Sequence, residues 1–216
     1  MTGTLVMWSG GIDSTLLLYR LASGREENIH AHHIILKDHR NRWGDEEVAC
    51  RSIKQYFRKQ FGEGRVLFSE SVIELQYPGP QHIGVHDIYV AAIAAAGYVQ
   101  CDPSVSRVWI GLHAGEIGNP SCRAWERHKK VQDLFRLLVE RTRPHFENIE
   151  FPLRNMSKEQ IVWELPRELM DLTFSCQQLR LHWKHKRCGK CITCQDLSRS
   201  SREAKKWPTP VSSGTI

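Results

Sequence analysis

The chain has 216 residues, a mass of 25.0 kDa and 41% apolar residues, a combination that predicts one large domain with its own core. The sequence contains no apolar run of about 18 residues, so it predicts no membrane span. The N-terminus lacks a basic segment and a signal-like cleavage site, and we expect a cytoplasmic protein. The formal charge of +6 favours either an anionic partner, such as a nucleotide or a nucleic acid, or a solvated basic surface.

Strand-like and helix-like segments alternate through residue 165. Strands are predicted at residues 4–8, 29–36, 65–69, 107–112 and 149–153, and helices at 14–21, 45–61, 87–99 and 124–139. A further helix follows Ser157, because Gln160 completes a capping box. Residues 77–84 and 114–122 are rich in glycine and proline and are predicted loops. This order predicts an α/β fold with a doubly wound, mostly parallel, five-stranded sheet.

The segment SGGIDS, residues 9–14, lies between the first predicted strand and the first helix. A glycine turn before a helix exposes backbone N–H groups at the positive end of the helix dipole, where anions bind. Ser9 and Ser14 can add hydroxyl donors, whereas Asp13 suits an anion site only with a cation such as Mg²⁺ between it and a phosphate. The lysine of GxxxxGK[ST] and the GxGxxG pattern are both missing. SGGxDS resembles the signature of the PP-loop ATP pyrophosphatases, which cleave ATP between the α and β phosphates and adenylate an oxygen.

Seven cysteines are present, and four of them fall within 19 residues. Cys176, Cys188, Cys191 and Cys194 have the spacing C-x11-C-x2-C-x2-C, and four thiolates suit a structural, tetrahedral zinc ion. An iron–sulfur cluster is the competing interpretation of the x2 spacings; we prefer zinc because adenylation requires no electrons. Cys50 and Cys101 are interpreted as packing residues. The predicted domains are an ATP-binding α/β domain (1–170), a zinc-binding segment (171–197) and a flexible polar tail (198–216).

The glycine turn and the cysteine cluster together resemble the 7-cyano-7-deazaguanine synthase family of the queuosine and 7-deazaguanine pathway. LKDHRNRW, residues 36–43, is similar to that family's DYGQRH segment, with Asp38 and Arg42 matching. WIGLHAGEIGNPSCR, residues 109–123, is similar to its IGVNAEDYSGYPDCR loop, and FPLRNMSKEQIV and LTFSC are similar to TPLIDLSKAEIV and LTWSC. The resemblance spans residues 4–197.

The resemblance implies conversion of 7-carboxy-7-deazaguanine to its nitrile with ATP and ammonia, through adenylation of the carboxylate and then of the amide. It implies ATP, Mg²⁺ and Zn²⁺ as cofactors, a deazapurine and ammonia as substrates, and no nucleic acid or membrane partner; a homodimer is an open expectation. The implied catalytic residues are Ser9, Asp13, Ser14, Arg42 and Arg123. The implied nucleotide-binding residues are Trp8, Ser9, Gly10, Gly11, Ile12, Asp13, Ser14, Thr15, Leu36, Asp38 and Gly111. The implied substrate-binding residues are His86, Asp87, Glu116 and Arg123, and the metal ligands are the four clustered cysteines.

The departures from this family fall on the predicted substrate side. His86 and Asp87 replace an Arg-Asn pair, and Ser121 replaces an acid before Cys122. The chain could therefore stop at the amide or adenylate another acid. Two other hypotheses are a tRNA-modifying PP-loop enzyme, whose basic surface would bind RNA, and a non-catalytic nucleotide-binding module.

Overall fold

The computed structural model describes residues 3–25, 28–38, 42–75, 86–114, 124–176 and 188–206. Four strands form one parallel sheet: β1 (Gly3–Met7), β2 (Ile29–Lys37), β3 (Val66–Glu74) and β4 (Val105–Ile110). Their order is β3-β2-β1-β4. The chain therefore builds outward from β1 in one direction and then crosses to its other side, which is the doubly wound arrangement that the sequence predicts.

Seven helices are described: α1 (Ile12–Ser23), α2 (Trp43–Phe61), α3 (Asp87–Cys101), α4 (Ala124–Val139), α5 (Lys158–Glu164), α6 (Arg167–Leu172) and α7 (Ile192–Ala204). Alternate residues of β1 point to opposite faces, so Val6 packs with α1 and α2 while Leu5 packs with α3 and α4. Both faces of the sheet are thus covered, which explains why β1 is buried along its whole length.

The predicted fifth strand, residues 149–153, is wrong, because the described sheet has four strands. Glu150 makes only an isolated parallel bridge to Trp109 beside β4. The Glu150 N–H donates to the Val108 carbonyl at 2.9 Å, and the Glu150 carbonyl accepts from Ile110 at 3.1 Å. Pro152 then follows, and it has no N–H to extend the pairing.

The C-terminal part differs from the predicted flexible tail. Helix α7 continues to Ala204, and Leu197 and Ala204 are buried in the core beside α1 and α5. Few apolar residues of α7 pack into the core, and polar residues separate them. The sequence therefore shows no clear helical period in this segment. Residues 207–216 of the predicted tail lie outside the described residues.

Two other features agree with the sequence. The capping box is present at α5, where the Gln160 N–H donates to the Ser157 hydroxyl and the Ser157 N–H donates to the Gln160 side chain. Helix α3 is nearly all apolar over 15 residues. Among the helices that the structure describes, none is both long enough and apolar enough to cross a membrane.

Candidate functional site

The chain turns sharply between β1 and α1, and this turn requires glycine. Gly10 has a φ of +73°, a left-handed value that strains other residues. A Cβ atom on Gly10 would also lie 2.8 Å from the sulfur of the buried Cys50 on α2. Behind the turn, the Phe174 N–H donates to the Gly10 carbonyl at 3.0 Å. The turn is therefore fixed from two sides.

Ser9 and Ser14 bring two hydroxyl groups together at the start of α1. Their Oγ atoms lie 3.2 Å apart, and the Ser9 N–H donates to the Ser14 hydroxyl at 3.2 Å. Gly11 is the N-cap residue of α1 and has no side chain with which to cap the helix. The hydroxyls, the first-turn N–H groups and the positive helix end are a suitable set of partners for phosphate oxygens.

Three other predicted nucleotide-binding residues support the turn from inside the core. The Trp8 indole N–H donates to the Thr15 hydroxyl at 3.1 Å, and Trp8, Ile12 and Thr15 are all buried. The imidazole Nδ1 of His33 lies 3.1 Å from the Trp8 carbonyl, which can accept its proton. Ile12 and Thr15 therefore support the shape of the turn, and neither is among the described residues that line the cavity.

Lys158 places a positive charge beside this turn. Its ammonium nitrogen lies 2.7 Å from both carboxylate oxygens of Asp13, and the two side chains are only 12% and 19% exposed. The cation that the sequence requires next to Asp13 is thus present as a lysine. Sequence reasoning missed Lys158, although its place directly after the capping residue Ser157 is a usable signal.

A neutral histidine lies next to this ion pair. His113 follows β4, lines the same cavity and is 9% exposed. Its burial lowers its pKa, and the nearby Lys158 charge lowers it further. At neutral pH the imidazole is therefore uncharged and offers the site a hydrogen-bonding group without adding positive charge.

The end of β4 fits against the start of α1 so closely that only glycine is accommodated. A Cβ atom on Gly111 would lie 2.7 Å from the Ser14 nitrogen and 2.9 Å from the Asp13 carbonyl carbon. Both contacts are with backbone, which cannot rotate away as a flexible side chain can.

We therefore expect Gly111→Ala to lower the free energy of unfolding by about 1–3 kcal/mol and to weaken nucleotide binding. Gly97→Ala is the matched control, because a Cβ atom there meets nothing within 4 Å; this variant should gain about 0.5–1 kcal/mol. Denaturant unfolding and nucleotide titration of both variants measure the effects. Equal stability and equal nucleotide affinity in the two variants would contradict the close approach.

A cavity of about 670 Å³ opens at the carboxyl ends of β1, β2 and β4. It lies beside the point where the strand order reverses, which is the usual ligand position in doubly wound sheets. Polar groups line it near the turn, and an apolar part is formed by residues from β2, α3 and β4. The apolar lining includes Ile34, Leu36, Ile88, Ala91, Ile110 and Leu112. A flat, partly apolar base fits this composition.

Two predicted residues pair with each other beside the cavity. The Arg42 guanidinium at the start of α2 lies 3.0 Å from the Asp87 carboxylate at the start of α3, and 3.5 Å from Glu46. Glu46, His86 and Asp87 line the cavity. The pair therefore links two helix starts and balances the acidic charge that Asp87 brings.

The other predicted residues divide into two groups. Leu36 and Gly111 line the cavity, whereas Asp38 and Arg42 are not among its lining residues in the described part of the chain. Glu116 and Arg123 lie outside the described residues, so their predicted roles stay predictions.

The four clustered cysteines come together as the sequence predicts. Their sulfur atoms all lie within 4.8 Å of one another, and those of Cys176 and Cys191 are 4.0 Å apart. Gly189, with a φ of +70°, makes the tight turn between Cys188 and Cys191. The Cys188 sulfur accepts the N–H groups of Lys190 at 3.4 Å and Cys191 at 3.2 Å. The cluster could hold a metal ion.

The spacing of the sulfurs fits a single ion. Four sulfurs at about 2.3 Å from one zinc ion lie about 3.8 Å apart. In a cluster that binds each cysteine to a different iron, two cysteine sulfurs are separated by two metal–sulfur bonds and by the distance between the irons. They therefore lie farther apart than the ligands of a single ion. Hydrogen bonding from the Cys191 N–H lowers the pKa of Cys188 to about 6. Burial raises the pKa of Cys194 to about 12, so this thiol needs a metal or another cation to ionise.

The cysteine cluster and the glycine turn share one short segment. Ser175 precedes Cys176, and its hydroxyl accepts the Ile12 N–H at 3.2 Å. Cys191 of the same cluster occupies the N-cap position of α7. Four residues of this helix line the cavity, namely Ile192, Thr193, Asp196 and Arg199. Sequence reasoning missed Ser175 and α7. A metal in the cluster would therefore hold two parts of the cavity in place.

No protein-family model and no curated protein sequence matches this chain. Among solved structures, it resembles the U34-tRNA thiolase NcsA from Methanococcus maripaludis, solved with its 4Fe-4S cluster. The likeness has a TM-score of 0.50 at 14% identity, and it covers 95% of this chain but 66% of the thiolase chain.

This chain has the PP-loop fold. The likeness covers 95% of this chain, which consists of a parallel sheet with helices on both of its faces. At 14% identity the comparison concerns the fold alone, so any activity has to be argued from the residues of the site.

Proposed function

We propose that this PP-loop protein uses ATP to adenylate an oxygen of a small substrate, releasing pyrophosphate. The observation that supports this most strongly is the group at the start of α1. There the Ser9 and Ser14 hydroxyls lie 3.2 Å apart, and Lys158 lies 2.7 Å from Asp13 beside them. This group offers hydrogen-bond donors and a partly buried cation to the charge that develops on a transferring phosphate.

The proposed substrate is 7-carboxy-7-deazaguanine. Its carboxylate oxygen attacks the α phosphorus of ATP and pyrophosphate leaves; ammonia then attacks the acyl carbon and AMP leaves, giving the amide. The amide oxygen attacks the α phosphorus of a second ATP and a second pyrophosphate leaves; loss of AMP and a proton from this adenylated amide gives the nitrile. The apolar part of the 670 Å³ cavity suits the planar base. His86 and Asp87 also line this cavity, and we propose that they hydrogen-bond with the exocyclic groups of that base.

The chain's own residues supply positioning and charge. Ser9 and Ser14 would hold phosphate oxygens, and Lys158 would share its protons between Asp13 and the nucleotide. The neutral His113 beside them adds a hydrogen-bonding group without a second full charge. The Asp13 carboxylate would also hold Mg²⁺, an oxygen-seeking ion that neutralises phosphate charge when bound.

The cysteine cluster is proposed to bind structural zinc. All four ligands are cysteines, three of them buried, so no position stays open for a reacting group. The separation of the sulfurs, within 4.8 Å, supports one ion. The zinc would act by holding Ser175 and α7 against the cavity.

The test is mass spectrometry of the zinc-loaded protein with ATP, Mg²⁺, ammonium and 7-carboxy-7-deazaguanine, following the nucleotide and the base together. The proposal expects AMP and the nitrile in step with each other. AMP with amide alone would mean a reaction that stops after the first adenylation. Absence of AMP from folded, zinc-loaded protein would contradict the synthase proposal and favour a nucleotide-binding module.

A second candidate is a PP-loop enzyme that modifies tRNA. It is favoured by the thiolase likeness and by exposed cations on one side of α4, namely Lys129, Lys130 and Arg136. RNA that copurifies with the protein, and AMP formation that depends on added tRNA, would support this candidate. AMP formation with the deazapurine alone would contradict it.

A further inference from the structure

Strand β3 is an edge strand of the sheet in the described part of the chain. It is nine residues long, and among the described residues it pairs only with β2. Leu67 and Val72 on this strand are 51% and 58% exposed. A long edge strand with exposed apolar side chains is a surface on which another strand can pair.

The sequence of β3 has an approximate two-fold pattern centred on Glu70. In LFSESVI, residues 67–73, one serine lies on each side of the glutamate, and two apolar residues lie beyond each serine. If two such strands run antiparallel with Glu70 opposite Glu70, Leu67 faces Ile73 and Phe68 faces Val72. Each exposed apolar residue then meets an apolar residue of the second strand.

The backbone of β3 is in the correct phase for this pairing. The Leu75 N–H donates to the Lys37 carbonyl at 2.9 Å, and Lys37 is in register with Glu74. Odd-numbered residues of β3 therefore direct their N–H and C=O groups toward β2, because these groups alternate along a strand. Even-numbered residues, including Glu70 and Val72, direct theirs to the open edge.

We propose that β3 pairs antiparallel with β3 of a second copy of this chain, about a two-fold axis at Glu70. The two four-stranded sheets would become one eight-stranded sheet. Such an interface is isologous, because each copy presents the same strand. The Glu70 N–H of each copy would donate to the Glu70 carbonyl of the other.

The charge at the axis is already balanced within each copy. Lys54 on α2 lies 2.9 Å from the Glu70 carboxylate. Two glutamates at the axis would therefore bring two lysines with them, which reduces the repulsion that like charges cause between opposite residues.

The proposed interface lies one strand away from the cavity. The Ser69 and Ser71 hydroxyls lie 2.9 Å and 3.0 Å from the two ring nitrogens of His32, and His32 lines the cavity. Pairing at β3 would thus fix the strand that holds this histidine.

A single cysteine at the axis tests the register. In a background with Cys101 and Cys122 replaced by serine, Glu70→Cys should be joined to a covalent dimer by a short bismaleimide. Glu74→Cys is the matched control, since two residues at position 74 would lie about 26 Å apart along the strand direction. Equal or absent dimer formation in the two variants would overturn the proposal.

A second pair of variants tests the backbone. Val72→Pro removes an N–H that points to the open edge and leaves the pairing with β2 intact, whereas Val72→Thr retains that N–H. We expect Val72→Pro to raise the dimer dissociation constant about tenfold or more relative to Val72→Thr, by analytical ultracentrifugation. A wild-type chain that is monomeric at about 100 μM in the same experiment would also overturn the proposal. If Val72→Pro does not fold, the cross-linking result decides.

Discussion

Replacing Lys158 by alanine will lower ATP-dependent AMP formation by about 10²–10³-fold, the typical cost of removing one preorganised donor from a transition state. The effect is large because the ammonium group is only 12% exposed and lies 2.7 Å from Asp13. Without it, Asp13 becomes an uncompensated carboxylate beside the phosphates. Steady-state release of AMP, with nucleotide affinity measured separately, checks the prediction.

The Arg20–Glu164 pair provides the matched control. It also joins α1 to α5, with Arg20 Nε 2.5 Å from Glu164, but neither residue lines the cavity. Arg20→Ala should lower stability slightly and leave AMP formation within about twofold, because the two side chains are 36% and 29% exposed and such partly exposed ion pairs contribute little. A similar loss of activity in both variants would mean that Lys158 serves only to join the helices.

The double variant Asp13→Asn/Lys158→Ala separates attraction from repulsion. Removing the lysine alone leaves a negative charge that repels ATP, whereas the double variant removes that charge as well. With Mg²⁺ removed, so that its proposed binding by Asp13 does not contribute, we expect the double variant to bind ATP more tightly than Lys158→Ala, because the effects of interacting residues are not additive. Additive losses would contradict the direct coupling of the two side chains at the nucleotide.

Removing the proposed zinc from the cysteine cluster should lower the melting temperature by about 10 °C, because metal-binding energy contributes to folding energy in such sites. It will also weaken ATP binding by about tenfold or more. The second effect follows from Ser175, which accepts the Ile12 N–H at 3.2 Å directly before Cys176. Chelation, followed by differential scanning calorimetry and nucleotide titration, measures both effects.

Cys191→Ser should reproduce the loss, and Cys101→Ser should not. Cys101, predicted to pack, is instead exposed at the end of α3 and lies outside the cluster. Elemental analysis should give one zinc per chain; stoichiometric iron would contradict the zinc proposal. A metal-free chain that binds ATP with unchanged affinity would contradict the link through Ser175.

The sequence predicted the first half of the fold well because its signals are local. The periods of β1, α1, β2 and α2 are clear, and a glycine turn after a buried strand has few structural meanings. The prediction of a fifth strand was wrong. The IEFPL segment is apolar enough to suggest a strand, but Pro152 lacks the N–H that continued pairing needs. Helix α7 was not predicted because its few buried residues, including Leu197 and Ala204, are separated by polar residues.

The sequence indicates the part of the candidate site that one short motif contains, and it does not indicate the part that distant segments contribute. Ser9, Asp13 and Ser14 belong to one turn, and the four cysteines have a readable spacing. Lys158 and Ser175 contact the same turn from segments about 150 residues further along. Periodicity and spacing say nothing about such long-range contacts, which arise only when the helices pack.

The position of Ser175 has a consequence for biosynthesis. The ribosome synthesises the glycine turn early. The Ile12 N–H of this turn is bound by the Ser175 hydroxyl, which comes 163 residues later, and the Gly10 carbonyl is bound by the N–H of the neighbouring Phe174. The β1–β4 pairing likewise joins residues 3–7 to residues 105–110. A nascent chain therefore lacks both of these contacts until residues 174 and 175 have left the exit tunnel. A nucleotide at the proposed site would stabilise the fold only from that point of synthesis onward.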